Sequence, residues 1–163
     1  MNISEETDSI ANENNLSISD IISSDEQKVA TVDQTKLLQT QLITSSLSQN
    51  LEQLTISFVQ GKEREFARDF SNIEKRISTI AQSFGFGYIS AKGTPVEKLT
   101  HLTISTKNLN THISEKYLLP AKYFENLSKV STWLSYLSTQ TYGSDTESTT
   151  NDILKSIPSN IRL

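Results

Sequence analysis

The sequence predicts an all-α protein, built as a long antiparallel helical hairpin or coiled coil, with a compact four-helix bundle as the alternative. Three observations carry this. Apolar residues recur at 3.5-residue spacing through most of the chain. A glycine-bearing loop divides two helical arms of nearly equal length. The composition suits thin, striped helices better than a round core: hydrophobic residues make up only 35% of the 163 residues, well below the globular average of roughly 45–50% with glycine included.

The first arm begins near Leu37. Leu47, Leu51, Leu54 and Phe58 step by 4, 3 and 4 residues. Phe66, Phe70, Ile73, Ile77, Ile80 and Phe84 continue the alternation, the seam of a left-handed supercoil. Phe58 and Phe66 are eight residues apart rather than seven, and Gly61 lies inside that slip. Glycine weakens a helix by about 1 kcal/mol relative to alanine. Residues 35–84 therefore read as one helix with a weak point at Gly61, or as two shorter ones.

The stretch SFGFGYISAKGTPVEKL, Ser83–Leu99, interrupts the pattern. Gly85 stands where a helix stop belongs, and the loop runs through residues 85–94. Thr94, Pro95 and Glu97 restart the helix as a capping box with proline at its first position. Leu99, Leu102, Thr106, Leu109 and Ile113 then step by 3 and 4. Pro120 predicts a kink or short break. Tyr123, Leu127, Val130, Leu134 and Leu137 resume the stripe.

Arms of 35–84 and 95–141 would each be about 70–75 Å long. In a hairpin centred near Ser90, Gly61 and Pro120 fall side by side, so both arms could bend at one level. If both points break fully, four helices and a bundle result. The hairpin is preferred, because four separate helices would need more turn residues than one glycine and one proline.

The domain limits follow. Residues 1–33 hold eight acids and one base, net −7, and read as an acidic disordered tail. Residues 34–142 form the hairpin or bundle. Residues 143–163 read as a mostly flexible tail, in which DILKSIPSNIRL could form a short helix. Within the first tail, Leu16, Ile18, Ile21 and Ile22 could form a helix that orders on binding.

The chemistry searched for is mostly missing. The chain has no cysteine, which removes disulfides and thiolate catalysis. Its two histidines, His101 and His112, lie about 16 Å apart along one helix face, too far for a shared metal. In GYISAKGT the lysine precedes the glycine and follows a helix, unlike a phosphate loop. No serine sits in a G-x-S-x-G frame. No metal, cofactor, small-molecule substrate or catalytic residue is expected. In GKEREFARDFSNIEKR acids are interleaved with the bases, so nucleic acid is not an expected partner. No run is apolar enough to span a bilayer and no secretory signal is visible. An intracellular protein, cytoplasmic or nuclear, is expected.

What remains is association with other helices. Two narrow seams on long arms look too thin for a rigid isolated fold. The expectation is a non-enzymatic coiled-coil subunit or adaptor whose seams are completed by partner helices. A self-contained four-helix protein-binding module is the alternative. A parallel homodimer would set Asp69 against Glu74, so hetero-assembly is preferred. The predicted partner-binding residues are Phe66, Phe70, Ile73, Ile77, Ile80, Phe84, Leu127 and Leu134 on the seams. Phe86 and Tyr88 join them as aromatic anchors at the loop tip. The ordinary reading of those two is that they fold back over the helix ends.

Overall fold

The computed structural model describes residues 24–118 and 124–163, with side chains from Gln34 onward. Among the described residues the chain is all-helical and packs as a bundle. The helices are α1 (Ser24–Ser45), α2 (Leu47–Gln60), α3 (Glu63–Ser83), α4 (Pro95–Tyr117), α5 (Glu125–Ser138) and α6 (Thr150–Ser156). A 3₁₀ turn, Ser159–Ile161, follows.

The weak point at Gly61 is a complete reversal. Gly61 takes φ 70°, the left-handed region that glycine adopts without a Cβ penalty. Its N–H donates to the Phe58 carbonyl at 3.1 Å, and the Lys62 N–H donates to the Ser57 carbonyl at 2.9 Å. That pair of bonds is a Schellman stop. The Ser57 hydroxyl then meets the Asp69 carboxylate at 3.1 Å; in one continuous helix these residues would be about 18 Å apart. The eight-residue step from Phe58 to Phe66 is the turn itself, and it brings the two rings to 5.8 Å. Tyr142 closes the cluster, 5.4 Å from Phe58 and 6.2 Å from Phe66.

The middle loop is not the tip of an antiparallel hairpin. Such a hairpin would set Phe70 beside residue 110 and Phe84 beside residue 96. Instead the Lys98 ammonium lies 5.7 Å from the Phe70 ring, and His112 Nε2 reaches the Phe84 carbonyl at 3.2 Å. Both contacts advance in the same direction, so α3 and α4 run parallel. The loop must return the chain along the length of α3, and it does: Tyr88 and Ala91 both bind Glu74. The bundle is therefore up-down-down-up, with one crossover. Gly61 and the facing ends of α4 and α5, Tyr117 and Glu125, sit at opposite ends of the bundle, not at one level.

The predicted capping box is present. Thr94 Oγ1 accepts from Glu97 N–H, the Glu97 carboxylate accepts from Thr94 N–H, and Pro95 opens the helix. Helix α4 ends at Tyr117, followed by Leu118 at φ 54°. Pro120 lies outside the described residues, as does the motif at Leu16–Ile22. Part of the predicted 1–33 tail is helical, since α1 starts at Ser24.

The 143–163 segment departs from its expected flexibility. The N–H groups of Gly143 and Asp145 donate to the carbonyls of Phe58 and Val59, at 2.9 and 2.8 Å. Ile153, Ile157 and Ile161 are buried. Arg162 bridges Glu52 at 3.3 Å and also donates to the Leu154 carbonyl. A second capping box, Thr149 with Asp152, starts α6. Three isoleucines four residues apart supply one apolar stripe, which suffices to dock a short segment.

Candidate functional site

The seam residues are the interior of this chain. Phe66, Phe70, Ile73, Ile77, Ile80, Phe84, Leu127 and Leu134 are all at most 2% exposed, covered by the chain's own helices. A partner would reach them only by displacing those helices. Asp69 and Glu74, set against each other in a parallel dimer, have separate internal roles. Asp69 is buried between Ser57 and Arg68. Glu74 holds the crossover.

The loop aromatics fold back. Phe86 lies partly buried, its ring 5.4 Å from His112. The Tyr88 hydroxyl donates to Glu74 Oε2 at 2.6 Å, and the same oxygen accepts from Ala91 N–H at 2.7 Å. His101 Nε2 donates to the Ile89 carbonyl at 2.7 Å, and its ring packs on Tyr88. Burial pushes the Tyr88 phenol well above its ordinary value, and the hydrogen bond to Glu74 and that carboxylate's charge add to the rise. Both histidines therefore fasten the crossover. Nothing in their spacing announced this, because the residues they hold are backbone carbonyls.

A different surface stands out at α1. Helices bury apolar side chains and expose polar ones; α1 follows this only in part, since Leu37 and Ile43 pack on the core while two threonines are buried and two leucines are exposed. Thr40 and Thr44 are 4% and 0% exposed, whereas Leu38 and Leu42 are 42% and 72% exposed. At about 100° per residue the two leucines point directly away from the face that carries the threonines. The buried hydroxyls bond back along their own helix, Thr40 to the Lys36 carbonyl and Thr44 to the Thr40 carbonyl. Those bonds satisfy the hydroxyls, and Leu37 and Ile43 supply the apolar contact to the core. Helix α1 gives way to α2 at Ser46, which keeps right-handed helical dihedrals and shares its N–H between the carbonyls of Leu42 and Ile43.

Beside this helix lies a cleft of about 310 Å³, lined by Thr40, Gln41, Thr44 and Ser45 from α1 and by Phe124, Glu125, Asn126 and Leu127 from the start of α5. One hydrogen bond crosses it, Asn126 Nδ2 to Ser45 Oγ at 3.1 Å. Close-packed interiors hold few such voids. Leu118, 83% exposed, ends α4 at the same end of the bundle. The cleft opens on the threonine side of α1 at this basal end of the bundle, while Leu38 and Leu42 form the outer face of the helix.

The lining contains one carboxylate, Glu125, and no nucleophile–base pair. Among the described residues no group of three or more His, Asp or Glu side chains could hold a metal ion. No helix among them is long and apolar enough to cross a membrane. The signal for this site was in the sequence, as the uncharged run LLQTQLITSSLSQNL from Leu37 to Leu51. Periodicity could not show which side of it would face out.

Fold and site together give an all-helical bundle with exposed leucines and an open cleft along α1. No family model matches the chain, and comparison with curated proteins and with solved structures finds no similar protein.

Proposed function

We propose that the protein is a self-contained, non-enzymatic protein-binding module that acts inside the cell, and that its basal α1 surface docks a helical partner. The exposed Leu38 and Leu42 on the outer face of α1 carry this reading. A partner covering them would remove their apolar surface from water, and burying a leucine side chain completely is worth about 1.5–3 kcal/mol.

The assembly-subunit reading rested on seams too thin to fold alone. In the bundle those seams face one another, which favours the self-contained module. Helical partners remain the expected class, engaged on the outside of α1 rather than on the α3 and α5 seams. Small-molecule substrates, cofactors and nucleic acid play no part in this reading.

Site-specific photocrosslinking tests it. A photoreactive residue at Leu38 or Leu42 should give protein adducts in cells, whereas one at Gln82, on the far face of α3, should not. Adducts distributed equally among the three positions would overturn the proposed surface.

A further inference from the structure

We infer that residues 149–163 are an autoinhibitory strap. They occupy, within the chain, a groove along α2 and α5 that takes a partner segment of the same pattern: aliphatic side chains four residues apart and a base after the last. This surface is separate from the outer face of α1, and the inference does not rest on that reading.

The groove shows its own occupant, and the occupant defines the class of partner. Glu52, Thr55 and Val59 share one face of α2, and Tyr136 of α5 lines the same pocket as Thr55 and Val59. Helix α6 lies on α2, and the 3₁₀ turn after it lies on α5. Ile153, Ile157 and Ile161 are buried there, and Arg162 pairs with Glu52 at 3.3 Å. This is the helix-in-groove mode of recognition, with apolar anchors at helical spacing and one charge pair that fixes the end.

Three observations mark the strap as detachable. The first is its loose fit. A pocket of about 120 Å³ remains beneath it, lined in part by Thr55, Tyr136, Ile153 and Ile157, whereas close-packed interiors hold few such voids. The three strap isoleucines are 3%, 4% and 6% exposed, while every other aliphatic side chain of the core is at most 1% exposed. The second is its root. Gln60 Nε2 donates to the Ser148 carbonyl at 3.2 Å, yet Gln60 Oε1 is buried with no hydrogen-bond partner among the described residues. A buried polar atom left unpaired opposes closure, and opening admits water to it. The third is length. Helix α6 has seven residues, and a helix that short is not held by its own hydrogen bonds in water. Release therefore unfolds the strap and leaves the bundle of α1 to α5 in place.

Hydrogen exchange and peptide binding on the full-length chain test the inference. Strap amides, such as those of Ile153 and Ile157, are hydrogen-bonded in the closed form. They should exchange at least about a hundredfold faster than amides in the middle of α2 to α5, because local opening precedes global unfolding. A fluorescent peptide of residues 147–163 should bind the chain saturably, and the same peptide with Ile157→Asp should not. Glu52→Cys and Arg162→Cys, joined by a short bis-maleimide, lock the strap in a chain that has no other cysteine. Locking should slow strap exchange and weaken peptide binding at least about tenfold, since only the open fraction binds. Strap amides that exchange no faster than the bundle overturn the inference. So does a peptide that fails to bind, or that binds locked and unlocked chains alike. Crosslinks at Leu38 and Leu42 read the α1 surface independently, so either reading can fail alone.

Discussion

Replacing Gly61 by alanine separates the two folds this chain could adopt, because the sign of the effect differs between them. In a continuous helix through position 61, alanine would stabilise by about 1 kcal/mol. In the bundle, Gly61 sits at φ 70°, where an L-residue costs about 1–2 kcal/mol. A Cβ there would also lie 2.9 Å from the Gly143 Cα. Backbone must then move against backbone, which strains the bonds from Gly143 and Asp145 to the end of α2, each worth about 0.5–1.5 kcal/mol. The expected cost is about 2–4 kcal/mol, or roughly 5–15 °C in melting temperature for a domain of this size. Gly85 supplies the control: its φ is 67°, but a Cβ there meets nothing within 4 Å, so Gly85→Ala should cost only the backbone term. Urea unfolding can be followed by the fluorescence of Trp133, the chain's one tryptophan, fully buried with its Nε1 donating to Thr55. A stabilising Gly61→Ala, or one no worse than Gly85→Ala, would refute the reversal at Gly61 and its contact with Gly143.

Other consequences are open to equally direct measurement. Ile157→Ala should destabilise by about 2–4 kcal/mol in the same urea assay, as for a buried isoleucine, whereas in a flexible tail it would change nothing. Thr94→Ala should cost about 1 kcal/mol through loss of the cap that starts α4; an unchanged midpoint would show the box contributes little. Tyr88 is held protonated in the fold, while an unfolded tyrosine titrates near pH 10. A raised folded value means its contribution is complete below about pH 10 and is lost as pH climbs further. Unfolding free energy measured from pH 8 to 12 should therefore fall at the alkaline end, and Tyr88→Phe should flatten that fall.

Much of the local structure was legible in advance. The 3–4 spacing marked most of the core of α2 to α5, from Leu47 to Leu137; Ala81, Tyr117 and Trp133 are core residues that the stripes did not include. The capping box at Thr94 is settled within four residues, and it formed as read. Gly85 announced a stop, since a left-handed residue after an apolar stripe has few alternatives to glycine; Gly61 announced only a weak point in a longer helix, and the full stop there came from the fold. The basal site was only half legible. Its neutral run could be read directly, but which of its leucines would face out could not, because Leu37, Leu38, Leu42 and Ile43 point to different sides of one helix.

The sequence by itself determined that helices form, which face of most of them is apolar, and where several start and stop. These are decided by interactions within a few residues, such as capping hydrogen bonds, glycine dihedrals and helical spacing. The tertiary structure alone decided that the chain reverses at Gly61, that α3 and α4 run parallel, that residues 143–163 dock, and that Leu38 and Leu42 of α1 face outward. A stripe at 3.5-residue spacing is equally content against a partner, a neighbouring helix in either direction, or a distant segment of its own chain. Only long-range contacts choose among these. The Ser57–Asp69 bond, the crossover bound to Glu74 and the Gly61–Gly143 contact join residues that no local pattern connects.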